Sequence, residues 1–254
     1  MKEPIVIVGG FASSWRDYKS GAEALSRVSG RRVFIANIHR WTWTLASITS
    51  YTLALELTHR AVRHAMRETG ADQVMLVGHS AGGVISRAYL SDHLDGLETR
   101  RSFKRLLKAY AGHQHVTRLI TLGSPLRGVP EQVKVHRGLQ HILWVDQTYP
   151  GAYYPHIQYL NVTGCAFLGN KDGTTGEKIA HRYYNFLSGN GEQWGDGVVP
   201  CALSHIDGVG TLEIKGMGHS PNGWWYFYDE AAIRLWWHYF EVGDSISPNH
   251  QAVA

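Results

Sequence analysis

The stretch Val74-Met75-Leu76-Val77-Gly78-His79-Ser80-Ala81-Gly82-Gly83 decides how the rest of the chain is read. An apolar run reads as a buried strand, two glycines bracket one serine, and a helix-compatible segment follows. A serine lifted out at the end of a central strand must take strained backbone angles, and its neighbours then crowd the adjacent strand and helix. Glycine on both flanks relieves that crowding. The G-x-S-x-G pattern occurs once in the chain, directly after a strand, and marks Ser80 as a candidate catalytic nucleophile.

Outward from Ser80, strand and helix patterns alternate. Ile5–Val8 is a continuous apolar strand left by a Gly9-Gly10-Phe11-Ala12 turn, and residues 15–28 carry apolar groups at helical spacing. A strand over 32–38, a helix over 50–69 stopped by Gly70, and the strand 72–77 lead into Ser80. Beyond the helix 82–93, residues 94–114 read as a polar, basic surface excursion. Strands follow at 116–122, 157–162 and 210–214, with a closing helix over 229–240. The alternation predicts an α/β fold with a mostly parallel central sheet and helices on both faces. A single domain spans 1–242, with a small cap or lid insertion about 126–156. The segment 169–195 reads as a long polar, glycine-rich loop, and 243–254 as a disordered tail.

Bulk properties narrow the function classes. The chain has 254 residues, a formal charge of +4 and no apolar run approaching the ~18 residues of a membrane span. The N-terminus passes at once into Ile5–Val8, leaving no room for a signal peptide, so the expected location is cytoplasmic. The two cysteines, Cys165 and Cys201, read as a pair of unrelated thiols. Arg100, Arg101, Lys104, Arg105 and Lys108 read best as a solvated helix face, with peripheral contact to a lipid surface or an acidic partner as the minority reading. Nucleic acid ranks lower still, because no zinc-finger spacing or arginine-rich arm accompanies the basic cluster. His113-x-His115 lacks a metalloprotease framework, and no metal site is expected.

A serine hydroxyl needs a base to take its proton, and the base needs a carboxylate to fix its tautomer. Asp196, between glycines in Trp194-Gly195-Asp196-Gly197, is the candidate acid, with Asp172 and Asp207 as rivals. His219, 23 residues later in Gly216-Met217-Gly218-His219-Ser220, is the candidate base, ahead of His205. Backbone N–H groups of Ala81 and Phe11 are the candidate oxyanion donors, with Gly10 or Ala12 as substitutes for Phe11 if the turn differs by one residue. Aromatic residues, Trp15 and Trp224 among them, are candidates to line a substrate pocket.

Gly78-His79-Ser80-Ala81-Gly82-Gly83, Thr121-Leu122-Gly123-Ser124-Pro125, the Trp194–Pro200 loop and Gly218-His219-Ser220-Pro221 together resemble the lipase/esterase branch of the α/β-hydrolase superfamily. With the run Val145–Ala152, the chain looks closest to a little-characterised group of lipase-like hydrolases from photosynthetic bacteria and plants. The resemblance covers about residues 4–240 and implies an α/β-hydrolase fold, no cofactor, and hydrolysis of a small-molecule or lipid ester through an acyl-enzyme. An acyltransferase or amidase using the same three residues, or a homologue that binds ligands without turnover, are the alternatives. Many relatives carry His-Gly where Gly9-Gly10 stands and a histidine where Leu126 stands, which touches the oxyanion loop and cleft lining but not Ser80, Asp196 or His219.

Overall fold

In the strand Ile5–Val8 every side chain is buried, but alternate residues serve different layers. Ile5 and Ile7 join one apolar cluster, Val6 and Val8 another. This is the period-two signature of a strand covered on both faces. The computed structural model describes residues 2–43, 51–97, 108–220, 225–242 and 252–253.

In chain order, β1 (Ile5–Val8) is followed by a 3-10 turn (Trp15–Tyr18), α1 (Lys19–Ser29), β2 (Val33–Ile35) and α2 (Thr52–Thr69). Then come β3 (Val74–His79), α3 (Ala81–Leu90), β4 (Val116–Leu122), α4 (Pro130–Val135), α5 (Gln140–Thr148) and β5 (Gln158–Cys165). The last third comprises β6 (Phe167–Leu168), α6 (Thr175–Ser188), β7 (Trp194–Gly195), β8 (Thr211–Lys215), β9 (Met217–Gly218), β10 (Trp225–Tyr226), α7 (Glu230–Val242) and β11 (Ala252–Val253).

Seven strands form one sheet in the order β11-β8-β5-β4-β3-β1-β2, with every neighbouring pair parallel. One face packs on α2, α3 and α5 through Leu55, Val62, Ile85, Tyr89, Trp144 and Val145. The other packs on α1 and α7 through Leu25, Ile233, Trp236 and Phe240. Connections from β1 run outward to β2 and those from β3 run the other way to β4 and β5. The direction therefore reverses between β1 and β3, and a crevice opens beyond their carboxyl ends, where open α/β sheets hold ligands. The loops leaving those two strands carry Phe11 and Ser80.

Four readings of the sequence are corrected. The segment 169–195 is not a loop: it holds the 14-residue helix α6 between β6 and β7. Thr174 accepts from Glu177 N–H while the Glu177 carboxylate takes Thr174 N–H, a capping box that starts the helix, and Gly189 ends it in the left-handed region. Cys165 and Cys201 are not unrelated thiols but a disulfide. Strands follow the one expected to be last: β9 pairs with β10, and Ala252–Val253, placed by the sequence in a disordered tail, pair with β8. The 126–156 insertion contains α4 and α5, but Trp144, Val145 and Tyr149 belong to the main core. Buried Arg87 on α3 ties the insertion down, donating to the Tyr149 and Leu126 carbonyls at 2.6 and 3.4 Å. Of the basic cluster only Lys108 lies within the described residues; its ammonium sits over the Tyr110 ring.

Candidate active site

Ser80 stands at the junction of β3 and α3 with φ 55° and ψ −128°, a conformation that costs a non-glycine residue of order 1–3 kcal/mol. The surrounding structure holds it there. Ser80 N–H donates to the Leu122 carbonyl on β4 at 2.9 Å, and Gly83 N–H caps the Ser80 carbonyl at 3.1 Å. Gly82 lies so close to β1 that a Cβ would run into the Val8 carbonyl, so the flanking glycine is a packing requirement of the turn.

Three side chains meet in series. His219 Nε2 is 3.0 Å from Ser80 Oγ, and His219 Nδ1 is 2.7 Å from Asp196 Oδ2. The second oxygen, Asp196 Oδ1, accepts the N–H groups of Val198 and Val199 at 2.9 and 2.7 Å, leaving Oδ2 for the imidazole. Asp196 and His219 are both buried, while Ser80 is partly open to solvent. The imidazole can thus take the serine proton on one nitrogen while the other stays bonded to a fixed carboxylate.

The rivals fall away on geometry. Asp207 pairs with Arg127, and Asp172 sits exposed in the turn before α6. Of the expected oxyanion donors, Ala81 N–H opens α3, where first-turn amides lack an intrahelical partner. Phe11 follows β1; the residue is 59% exposed, and its ring lies 5.7 Å from that of the buried Trp43. Gly10 is no substitute for Phe11, because its N–H already donates to the Tyr18 hydroxyl at 2.7 Å. Trp15 lies beneath the cations of Lys19 and Arg16, and among the described residues no hydrogen bond or ring contact joins it to Ser80, His219 or Asp196. Trp224 lies outside the described residues.

Other contributors were not read from the sequence. Tyr184 on α6 accepts Gly197 N–H at 2.8 Å, so the helix read as a loop braces the turn that carries Asp196. The Cys165–Cys201 disulfide joins the end of β5 to the loop just past Asp196. With Glu213 these cysteines form a group of metal-ligand spacing, but the two sulfurs are bonded to each other. His79, buried and next to Ser80 in the chain, has its ring 4.9 Å from that of His219. Burial, and then the charge His219 can carry, hold its pKa well below the ordinary histidine value.

Residues 3–154 match the family described as alpha/beta hydrolase fold. The chain belongs to that family. Among solved structures, this α/β-hydrolase is similar to the lipase BlEst2 of Bacillus licheniformis in mature form, at a TM-score of 0.59 and 17% identity over 97% of this chain and 92% of that one. It is similar also to lipase 1 from Pelosinus fermentans, at 0.51 and 13% identity over 96% and 98% of the two chains. At such identities the likeness is one of fold. No curated protein matches this α/β-hydrolase. No helix among its described residues is long and apolar enough to cross a membrane.

Proposed function

We propose that this α/β-hydrolase is a serine hydrolase of the lipase/esterase branch that cleaves carboxylic esters through an acyl-enzyme. One observation carries the reading: the unbroken series Ser80 Oγ, His219, Asp196, with contacts of 3.0 and 2.7 Å, at the mouth of the crevice between β1 and β3. His219 Nε2 removes the Ser80 proton as Oγ attacks the ester carbonyl. Asp196 keeps the Nδ1–H tautomer and stabilises the imidazolium. Phe11 and Ala81 N–H groups receive the developing oxyanion. Collapse of the tetrahedral intermediate expels the alcohol, which takes the proton from His219 Nε2. Water, deprotonated by the same nitrogen, then attacks the acyl-Ser80 ester; the acid is released and Oγ is reprotonated. The lipases of similar fold support an ester substrate.

The test is a panel of p-nitrophenyl and glycerol esters from acetyl to long-chain acyl, assayed on the wild type and on Ser80→Ala. Turnover by the wild type and its loss in a folded Ser80→Ala protein is the expected result. Activity retained without the serine hydroxyl overturns the assignment.

A further inference from the structure

The peptide plane that carries Phe11 N–H is held through its Gly10 carbonyl, and the peptide before it through Gly10 N–H. In a trans peptide the N–H of Phe11 and the carbonyl of Gly10 point in opposite directions, so fixing that carbonyl fixes the amide. The Gly10 carbonyl accepts the Ser13 hydroxyl at 2.5 Å and Ser13 N–H at 3.3 Å. On the preceding peptide, Gly10 N–H donates to the Tyr18 hydroxyl oxygen at 2.7 Å. Gly10 is also pressed against the nucleophile: a Cβ there would lie 2.7 Å from Ser80 Cβ. A small rotation at Gly10 therefore moves Phe11 N–H relative to Oγ.

Tyr18 is itself anchored to the elbow. Its hydroxyl lies 2.9 Å from His79 Nδ1 and 3.2 Å from Ser13 Oγ. Ser13 spends its proton on Gly10, and the Tyr18 oxygen, which accepts from Gly10, shares a second bond with His79 Nδ1 in which either group can donate. Either tautomer of a neutral, buried His79 keeps that bond. The chain of bonds thus runs from β3, through the residue before the nucleophile, back to the loop after β1.

We propose that Tyr18, with Ser13, is a positioning residue for the oxyanion amide of Phe11, coupling that loop to the nucleophile turn through His79. The inference rests on the reading of Ser80, His219 and Asp196 as a hydrolytic triad. Neither residue touches substrate; each sets the direction of a donor that does.

The experiment is Tyr18→Phe, which keeps the buried ring and removes only the hydroxyl, beside Ser13→Ala at a part-exposed site. Burst titration with a p-nitrophenyl ester counts competent sites, so kcat is read per working Ser80. The expected result is a full site count with kcat lowered about 10- to 100-fold, as for displacement of a catalytic donor by a fraction of an ångström to an ångström. KM stays within about twofold, because ground-state binding does not use the hole. Ser13→Ala shows a smaller loss of the same kind, and affinity for a boronic acid that mimics the tetrahedral adduct falls in step with kcat/KM. Unchanged kcat per titrated site in both variants overturns the proposal, as does a loss confined to the site count. If Tyr18→Phe does not fold, Ser13→Ala decides: a lowered kcat at full site count is expected, and an unchanged kcat overturns the proposal. No turnover of any ester and no acylation of Ser80 in the wild type refutes the hydrolase reading instead, and a Phe11 amide nitrogen-15 shift that moves in Ser13→Ala still tests the bond network.

Discussion

Asp196 and His219 are joined twice: side chain to side chain at 2.7 Å, and backbone to backbone, where His219 N–H donates to the Asp196 carbonyl at 2.8 Å. The acid loop and the base loop therefore move as one unit, and changing the carboxylate alone leaves the geometry in place. Asp196→Asn keeps an oxygen for Val198 and Val199 N–H but turns an amide N–H toward His219 Nδ1. The imidazole must then hold its proton on Nε2, where it cannot accept from Ser80. The expected outcome is a fall in kcat of about 10⁴-fold, as in other serine triads, with thermal stability close to wild type. Steady-state kinetics beside a melting curve checks it.

The disulfide predicts a second coupling. Cys201 lies five residues past Asp196 and its partner terminates β5, so the bridge closes the acid loop against the sheet over a separation of 36 residues. Chain-entropy arguments give about 3–4 kcal/mol for a loop of that length. Dithiothreitol, or the Cys165→Ser/Cys201→Ser pair, is expected to lower both the unfolding midpoint and kcat. The two are separated by measuring kcat at a temperature where the variant is fully folded. Since disulfides persist in oxidising compartments and serve redox roles in reducing ones, the expected cytoplasmic location is open to a redox-state measurement on the protein in its own cell.

How far the sequence reached follows from what each feature depends on. Ile5–Val8 and Val116–Leu122 were legible because strands covered on both faces are continuous apolar runs. The meeting of Ser80, Asp196 and His219 was legible because glycines mark turns that aim a side chain, and those turns came in the order expected of a nucleophile, an acid and a base. The Tyr18 to His79 bond spans 61 residues and has no local pattern, and neither has the pairing of Cys165 with Cys201. Helix α6 did carry its start signal, Thr174 and Glu177, but the glycines at 169, 173, 176, 189, 191 and 195 outweighed it. Its buried side is as slight as Ala180 and Tyr184, too little for a clear apolar stripe.

Burial of His79 sets a pH dependence. Its pKa in the folded protein lies well below that of the unfolded chain, first through burial and then through the charge of His219. A depressed folded value means that the unfolded chain takes up the proton first on acidification. The contribution is fully present above about pH 6.5, the unfolded value, and is lost as pH falls toward the folded value. His59, lowered first by burial, adds a term of the same sign. Urea denaturation at pH 8 and pH 5.5 is expected to show the loss, and His79→Phe to reduce the difference between the two.

Arg87 gives a prediction about the β4 to β5 crossover. The guanidinium is buried on α3 and donates to the carbonyls of Tyr149, Leu126 and Gly151, the last at 3.5 Å, so it satisfies both ends of the 126–156 segment. Burial lowers its pKa somewhat, but a guanidinium remains charged at any pH at which proteins fold. Arg87→Leu fills part of the same volume and leaves those carbonyls without their donor. Stranding buried acceptors costs about 1–3 kcal/mol each, and removing a charged donor lies toward the upper end. An overall destabilisation of about 3 kcal/mol is expected. Hydrogen exchange should rise first in α5, which packs against α3 through Trp144 and Val145, while β1 and β3 keep their protection. Uniform loss of protection across the sheet would show that Arg87 supports the whole core and not the crossover in particular.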